Sequence, residues 1–360
     1  MRINPHLLAI CFGMVFLIVS FPPRSISAAA PLKWGAYAGW QVSDFANFQQ
    51  QIGQKMNYMA TFIHWGNENQ FPAPLAQMAK TNNQTLVIYW EAMDYNFSPP
   101  EADTRFSYDH ILAGNFDPYL ASFAKDAQSA GVPVIIVPFG EMNSDWYPWS
   151  VTKNGNSPQK HIAAFRYLKS FFTTGSNVKF GWAINNDSVP NTAINNPLTY
   201  YPGDDVVDYV GVDGFNFDNP WQTFPQVFDA SLSSLEVFDK PAMIFSMACA
   251  DGNAKAAWIR DAATHLADYP QLVGWIWFNE NKERDWRVWS DANSLLAFQT
   301  YLITAPSANI TTTPTIVPSP IPTAIPSPVP TIIPVPTVIV LPTATPSPLL
   351  TTLQISTTTK

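Results

Sequence analysis

"VIIVPFGEMNSDWYPWS", Val134 to Ser150, is the stretch on which the fold reading turns. It begins as an unbroken apolar run through Phe139, then gives Gly140, a single acid (Glu141) and an Asn-Ser-Asp turn at 143–145. An apolar run this short, rich in β-branched residues, describes a strand buried on both faces. The carboxylate at its end, with Trp146, Tyr147 and Trp149 close behind, puts an acid and flat aromatic surfaces at one rim.

Seven further runs have the same character. They are 33–39 (KWGAYAG), 58–64 (YMATFIH), 85–90 (TLVIYW), 178–184 (VKFGWAI), 207–214 (VDYVGVDG), 241–247 (PAMIFSM) and 272–278 (LVGWIWF), and the opening strand extends over 132–139. Segments with helical spacing lie between several of them, for example Asp117 to Gly131 and Ala256 to Pro270. Eight strands, each followed by a helix, in about 270 residues predict a (β/α)8 barrel. A doubly wound sheet fits less well, because no glycine-rich phosphate loop follows any strand.

The ends of the 360-residue chain read differently. Arg2 and His6 precede an apolar run from Leu7 to Val19, and Ala28-Ala29-Ala30 offers small residues for cleavage, so residues 1–30 are expected to be a signal peptide. The run is too short to span a bilayer core, which needs about 20 residues. Residues 31–304 form the expected barrel domain. Residues 305–360 read as a disordered Pro/Thr/Ser-rich stalk: thirteen of the 33 prolines fall between Pro306 and Pro348, and no charge appears until Lys360. The protein is therefore expected to be secreted or cell-surface associated, without a membrane span in its mature form, and monomeric.

Composition narrows the partners. With 19 basic against 27 acidic residues, the chain is a poor match for nucleic acid. Cys249 is the one cysteine left after cleavage, and the histidines at 64, 110, 161 and 265 have no metal-ligand spacing, so neither a metal nor a cofactor is expected. All thirteen tryptophans lie between Trp34 and Trp289, many just after an apolar run.

In a barrel the chemistry sits where strands end. Those ends carry Trp90 with Glu91, Glu141, Asn185, Asp213, Ser246, and Glu280 following Trp277, besides Trp40 and His64. Aromatic, amide and acidic groups on one rim suit stacking of sugar rings and hydrogen bonding of their hydroxyls. Trp90, Glu91, Trp146, Trp149, Asn185, Asp213, Trp277 and Glu280 are thus the candidate glycan-binding residues.

Four stretches resemble glycoside hydrolase family 26, the β-mannanase-type retaining barrels. They are "VPFGEMNSDWYPWS" (137–150), "YYPGDDVVDYVGVDGFNF" (200–217), "KPAMIFSMACADG" (240–252) and "WFNENKERDWRVWSDANSLLAF" (277–298). The resemblance spans roughly residues 33 to 301 and implies a ligand of β-linked polysaccharide or oligosaccharide. It also implies two glutamates about 5–5.5 Å apart, an acid/base on the fourth strand and a nucleophile on the seventh. Glu141 matches the acid/base. The nucleophile position holds Ser246, within Ile244-Phe245-Ser246-Met247-Ala248, and is not expected to be catalytic. Val137 and Gly140 stand where the family carries arginine and histidine. A serine hydroxyl without an adjacent base is a weak nucleophile. Two readings stay open: a glycanase working by a modified mechanism in which Asp213, Asp251 or Glu280 substitutes, or a glycan-binding barrel that has lost hydrolysis.

Overall fold

The computed structural model describes residues 32–67 and 70–307. The expected signal peptide, and all but the first three residues of the expected stalk, lie outside the described residues.

Eight parallel strands close into a barrel in chain order. They are β1 (Lys33–Tyr37), β2 (Tyr58–His64), β3 (Thr85–Glu91), β4 (Val134–Pro138), β5 (Val178–Asn185), β6 (Tyr209–Asn216), β7 (Ala242–Cys249) and β8 (Leu272–Phe278). Closure comes from β1 pairing with β8, Lys33 opposite Gly274 through Tyr37 opposite Phe278. Around them lie α1 (Val42–Ile52), α2 (Ala73–Asn82), α3 (Tyr108–Leu112), α4 (Asp117–Ser129), α5 (Pro158–Ser170), α6 (Phe224–Leu235), α7 (Lys255–His265) and α8 (Ala292–Ala297).

The expected helix after every strand fails at one place. Between β5 and β6 the chain makes two short 3-10 turns, Ala193–Asn195 and Pro197–Tyr200. Pro190, Pro197 and Pro202 fall in this connection, and each removes a donor that a helix would need.

Two cores follow from the strand alternation. Outward-facing side chains such as Leu86, Ile88 and Trp90 pack under the helices. Inward-facing ones, among them Tyr37, Tyr58, Val87, Tyr89, Ile135, Val137, Met243 and Phe245, fill the barrel. Phe245 reaches across the interior: a Cβ at Gly181 or Gly211 would overlap its ring, so the glycines on β5 and β6 make the room this phenyl occupies.

Beside Phe245 the β6–β7 register slips. Val212 pairs with Ile244 but Asp213 with Ser246, leaving Phe245 as the extra residue of a bulge. Strict alternation would send Ser246 outward. The bulge instead aligns it with Asp213, whose side chain faces inward, and this local irregularity sets the chemistry of the mouth.

Candidate functional site

The end of β4 is strained. Phe139 and Glu141 both hold left-handed backbone, with φ of 53° and 56°. Such values cost a non-glycine residue of order 1–3 kcal/mol and persist only where surroundings fix them. Here the Glu141 N–H donates to the Ala183 carbonyl at 3.0 Å, and the Trp149 indole donates to the Gly140 carbonyl at 2.8 Å. The turn aims the Glu141 carboxylate at the mouth, where the exposed Trp146 donates its indole N–H to Oε2 at 2.8 Å. Burial pushes Glu141 up to about 7; the Trp146 hydrogen bond works against this, and the charge of Glu91 adds to it.

Asp213, buried in the second half of β6, accepts a long hydrogen bond from the Tyr89 hydroxyl at 3.4 Å. Burial, then the Glu141 charge, raise its carboxyl well above the ordinary range, while the backbone N–H of Ser246 partly offsets them. The Ser246 hydroxyl is hydrogen-bonded to the same Tyr89 hydroxyl. A Cβ at Gly140 would lie 3.8 Å from Asp213 Oδ2 and 3.8 Å from the Tyr89 ring, ordinary contact distances. Glu141, Asp213, Tyr89 and Ser246 therefore belong to one cluster, and nothing in the space around Gly140 demands glycine. Glu91 completes the acidic wall, paired at 2.8 Å with His64; both are buried.

Three expected glycan-binding residues are elsewhere. Trp90 points out of the barrel, stacked on Phe123 and donating to the Tyr119 hydroxyl at 2.9 Å, because its neighbours Tyr89 and Glu91 take the inward positions. Trp277, between the inward Ile276 and Phe278, likewise faces the helices and donates to the Trp286 carbonyl. Trp149 is buried against Tyr147, with ring centroids 4.4 Å apart, and supports the Gly140 turn. Trp146 remains at the surface.

Asn185 is buried and its amide is spent on the Asp187 carbonyl, while Asn143 holds its backbone. Half-buried Glu280 accepts from the Asn281 N–H, and its charge acts on Tyr37 and Arg287, on the β1–β8 side of the mouth. Asp251 lines a separate groove of about 790 Å³ with residues of α7 and α8.

Other participants escaped the sequence reading. Tyr89 bridges Asp213 and Ser246. Glu283, ion-paired with Lys282 at 2.9 Å, joins it in acting on Glu141 from the loop after β8. Lys255 anchors that loop through the Asp285 and Arg287 carbonyls, each at 2.8 Å. Among the described residues, every exposed aromatic except Tyr301 lies on a loop that follows a strand: Trp40, Tyr95, Phe97, Trp146, Phe217 and Trp221. Trp40 and Trp146 were already marked in the sequence; Tyr95, Phe97, Phe217 and Trp221 were not, and their signal was position, just past a strand end.

Among the described residues, no three His, Cys, Asp or Glu side chains gather to hold a metal ion, and no helix is long and apolar enough to cross a membrane.

Comparison with known proteins bears on this arrangement. The model of glycosyl hydrolase family 26 matches residues 101–287. Endoglucanase H of Acetivibrio thermocellus is 35% identical over 282 residues, which is 74% of this chain; the chain spans 30% of that protein's length. A Bacillus subtilis mannanase superposes with a TM-score of 0.59 at 15% identity, covering 77% of this chain and 87% of its own. A β-mannanase of Bacteroides ovatus gives 0.57 at 14%, covering 76% and 88%. At that identity the structural likeness is one of fold. The family-model match and the 35% identity together carry the assignment, and the chain belongs to glycosyl hydrolase family 26.

Proposed function

We propose that this chain binds β-linked gluco- or manno-polysaccharide at the barrel mouth and does not hydrolyse it by the retaining route. One observation carries the reading: the β7 side chain that the bulge aligns with Asp213 and sets against Tyr89 is the hydroxyl of Ser246. A retaining cleavage requires a carboxylate there to attack the anomeric carbon. The neighbouring acids are poor replacements. Asp213 is buried and held toward its neutral form, and Glu91 is committed to His64. In this reading Glu141 is the acid/base of the family, retained without its partner.

The exposed aromatics on the loops after β1, β3, β4 and β6 supply the stacking surface. The printed names of the relatives, an endoglucanase and mannanases, suggest the sugar class. Export of the chain, cleavage after residue 30, action as a monomer and a spacer role for residues 305–360 are part of the same proposal.

Electrophoresis of the full chain through gels containing β-mannan, xylan or mixed-linkage β-glucan tests it. At least one polymer should retard the protein, and Trp40→Ala with Trp146→Ala should weaken the retardation about tenfold, since stacked aromatics contribute about 0.5–1.5 kcal/mol each. Free migration in all of them would overturn the reading.

A further inference from the structure

We propose that the groove between α7 and α8 is a second glycan site, which holds a further stretch of the β-linked polysaccharide whose other part occupies the mouth. The inference rests on the reading that the mouth binds such a polymer.

The groove has a volume of about 790 Å³, within the usual range of small-molecule sites, about 300–1,000 Å³. α7 contributes Ala256 and Arg260, four residues apart and so on one helical face. α8 and its continuation contribute Asn293, Leu296, Thr300 and Tyr301. The continuation is a π-helical turn, Phe298–Leu302, in which the Ile303 N–H reaches back to the Phe298 carbonyl at 3.2 Å. Such turns are rare and gather at functional sites. The inner side of this one is fixed. Buried Phe298 meets Trp34 and Trp275 edge-on, and the Gln299 amide donates to the Gln51 and Ile52 carbonyls. Thr300 and Tyr301 are left to line the groove, with Tyr301 49% exposed and Leu296 60%. Tyr301 is the exposed aromatic that the mouth does not account for.

The polar lining is uncommitted. Among the described residues, the side chains of Asn253, Arg260, Asn293 and Thr300 have no hydrogen-bond or ion-pair partner in the protein. Arg260 differs in this from Arg105, Arg166, Arg284 and Arg287, each of which holds a carboxylate. The charges at the groove are mixed: Arg260 stands with Asp251, while Asp291 is taken up by the Asn293 and Ser294 N–H groups that it caps. A groove without one dominant sign suits neither a polyanion nor a polycation. Amides, a hydroxyl and a guanidinium beside a half-exposed ring suit the hydroxyls and apolar face of a neutral sugar. Two exposed apolar side chains do not make a protein interface, which buries about 800 Å² on each partner.

Position identifies the occupant as a continuation of the chain held at the mouth. Asp251 and Asn253 belong to the loop after β7, and Ser290 and Asp291 to the loop after β8. The second of these loops also edges the mouth, where its Lys282 and Glu283 act on Glu141. A polymer leaving the mouth over β7 and β8 meets the upper end of the groove and runs down toward Tyr301. Asp251, a candidate substitute base in the sequence, thereby serves binding away from Glu141. Two sites on one polymer raise its apparent affinity about a hundredfold or more over one site alone.

The test compares the full chain with Tyr301→Ala plus Arg260→Ala at the groove, Trp40→Ala plus Trp146→Ala at the mouth, and Tyr301→Phe. All four positions are exposed, and each variant is checked for an unchanged melt. Retardation in gels of β-mannan and mixed-linkage β-glucan reads polymer affinity. Calorimetry with β-1,4-linked gluco- and manno-hexasaccharides counts the sites. Two hexasaccharides should bind the wild type. The groove pair should weaken one of these events about tenfold and the mouth pair the other. The groove pair should also weaken retardation at least about tenfold. Tyr301→Phe, which keeps the ring, should retain both sites. A single event that the mouth pair weakens and the groove pair leaves unchanged would overturn this proposal and leave the mouth reading intact. A single event weakened by the groove pair alone would support this site and overturn the mouth reading. No binding of hexasaccharide or polymer would overturn both. Self-association that the groove pair abolishes, with no second hexasaccharide bound, would overturn the proposal in favour of a second copy of the chain.

Discussion

Replacing Trp146 with phenylalanine removes one hydrogen bond from Glu141 and keeps an aromatic face at the rim. The bond is 2.8 Å long and stabilises the charged carboxylate, so its loss must raise the pKa of Glu141 from about 7. A hydrogen bond to a charged group is worth about 1.5–3 kcal/mol. Trp146 is 39% exposed, so water replaces part of the bond and the low end applies. At about 1.4 kcal/mol per unit, the expected rise is about one unit. Titration of a carboxyl-¹³C glutamate-labelled protein, with Glu141→Gln identifying the resonance, reads it directly. The stability consequence has a definite sign. Glu141 titrates above its unfolded value of 4.5, so its contribution is fully present below about 4.5 and is lost as pH rises through 7. Trp146→Phe should extend that loss by about 1.4 kcal/mol at about pH 8 and above. A midpoint that stays in place or falls would refute the reasoning, because the carboxylate would then not depend on the indole.

Three further outcomes follow from the same geometry. Ser246→Glu alone should recover less than about a tenth of the turnover of an activated aryl β-glycoside shown by Ser246→Glu with Gly140→His and Val137→Arg. The new carboxylate meets Asp213 and Glu141 with no cation or imidazole beside it, and equal rates would contradict this. His161, buried and pushed from 6.5 down to about 3, makes the protein lose stability as pH falls through that window, by up to about 1.4 kcal/mol per pH unit. Glu141 opposes the trend between 7 and 4.5, so Glu141→Gln should steepen the fall of the urea midpoint there; parallel slopes would refute it. Phe245→Ala empties the interior between Gly181 and Gly211 and should cost about 3–5 kcal/mol in denaturant unfolding, whereas a loss under about 1 kcal/mol would mean the interior closes over it.

Much of the fold was legible because parallel strands buried on both faces appear as apolar runs; β2 and β8 match their sequence limits to the residue. The connection after β5 was overread as helical, although its prolines argue against it. The tryptophans show where the reading failed. Trp90 and Trp277 were assigned to the rim because they lie near strand ends, but parity decides: with Tyr89 and Glu91 inward, Trp90 has to face the helices. Ser246 is the reverse case. Alternation along β7 would place it outside, and only the resemblance between motifs marked it, because a bulge at Phe245 is a property of the pairing with β6 rather than of β7's own residues. The contacts that join Tyr89 to Asp213 and Ser246 span up to 157 positions and leave no local pattern to find.

The central claim, that loss of the β7 carboxylate has ended hydrolysis while binding persists, is tested most directly by turnover on whichever polysaccharide retards the protein. Reducing ends are counted over a prolonged incubation of the wild-type chain beside Glu141→Gln. The expected result is the same negligible release from both. Release by the wild type that disappears in Glu141→Gln would contradict the claim and show that another group supplies what Ser246 does not.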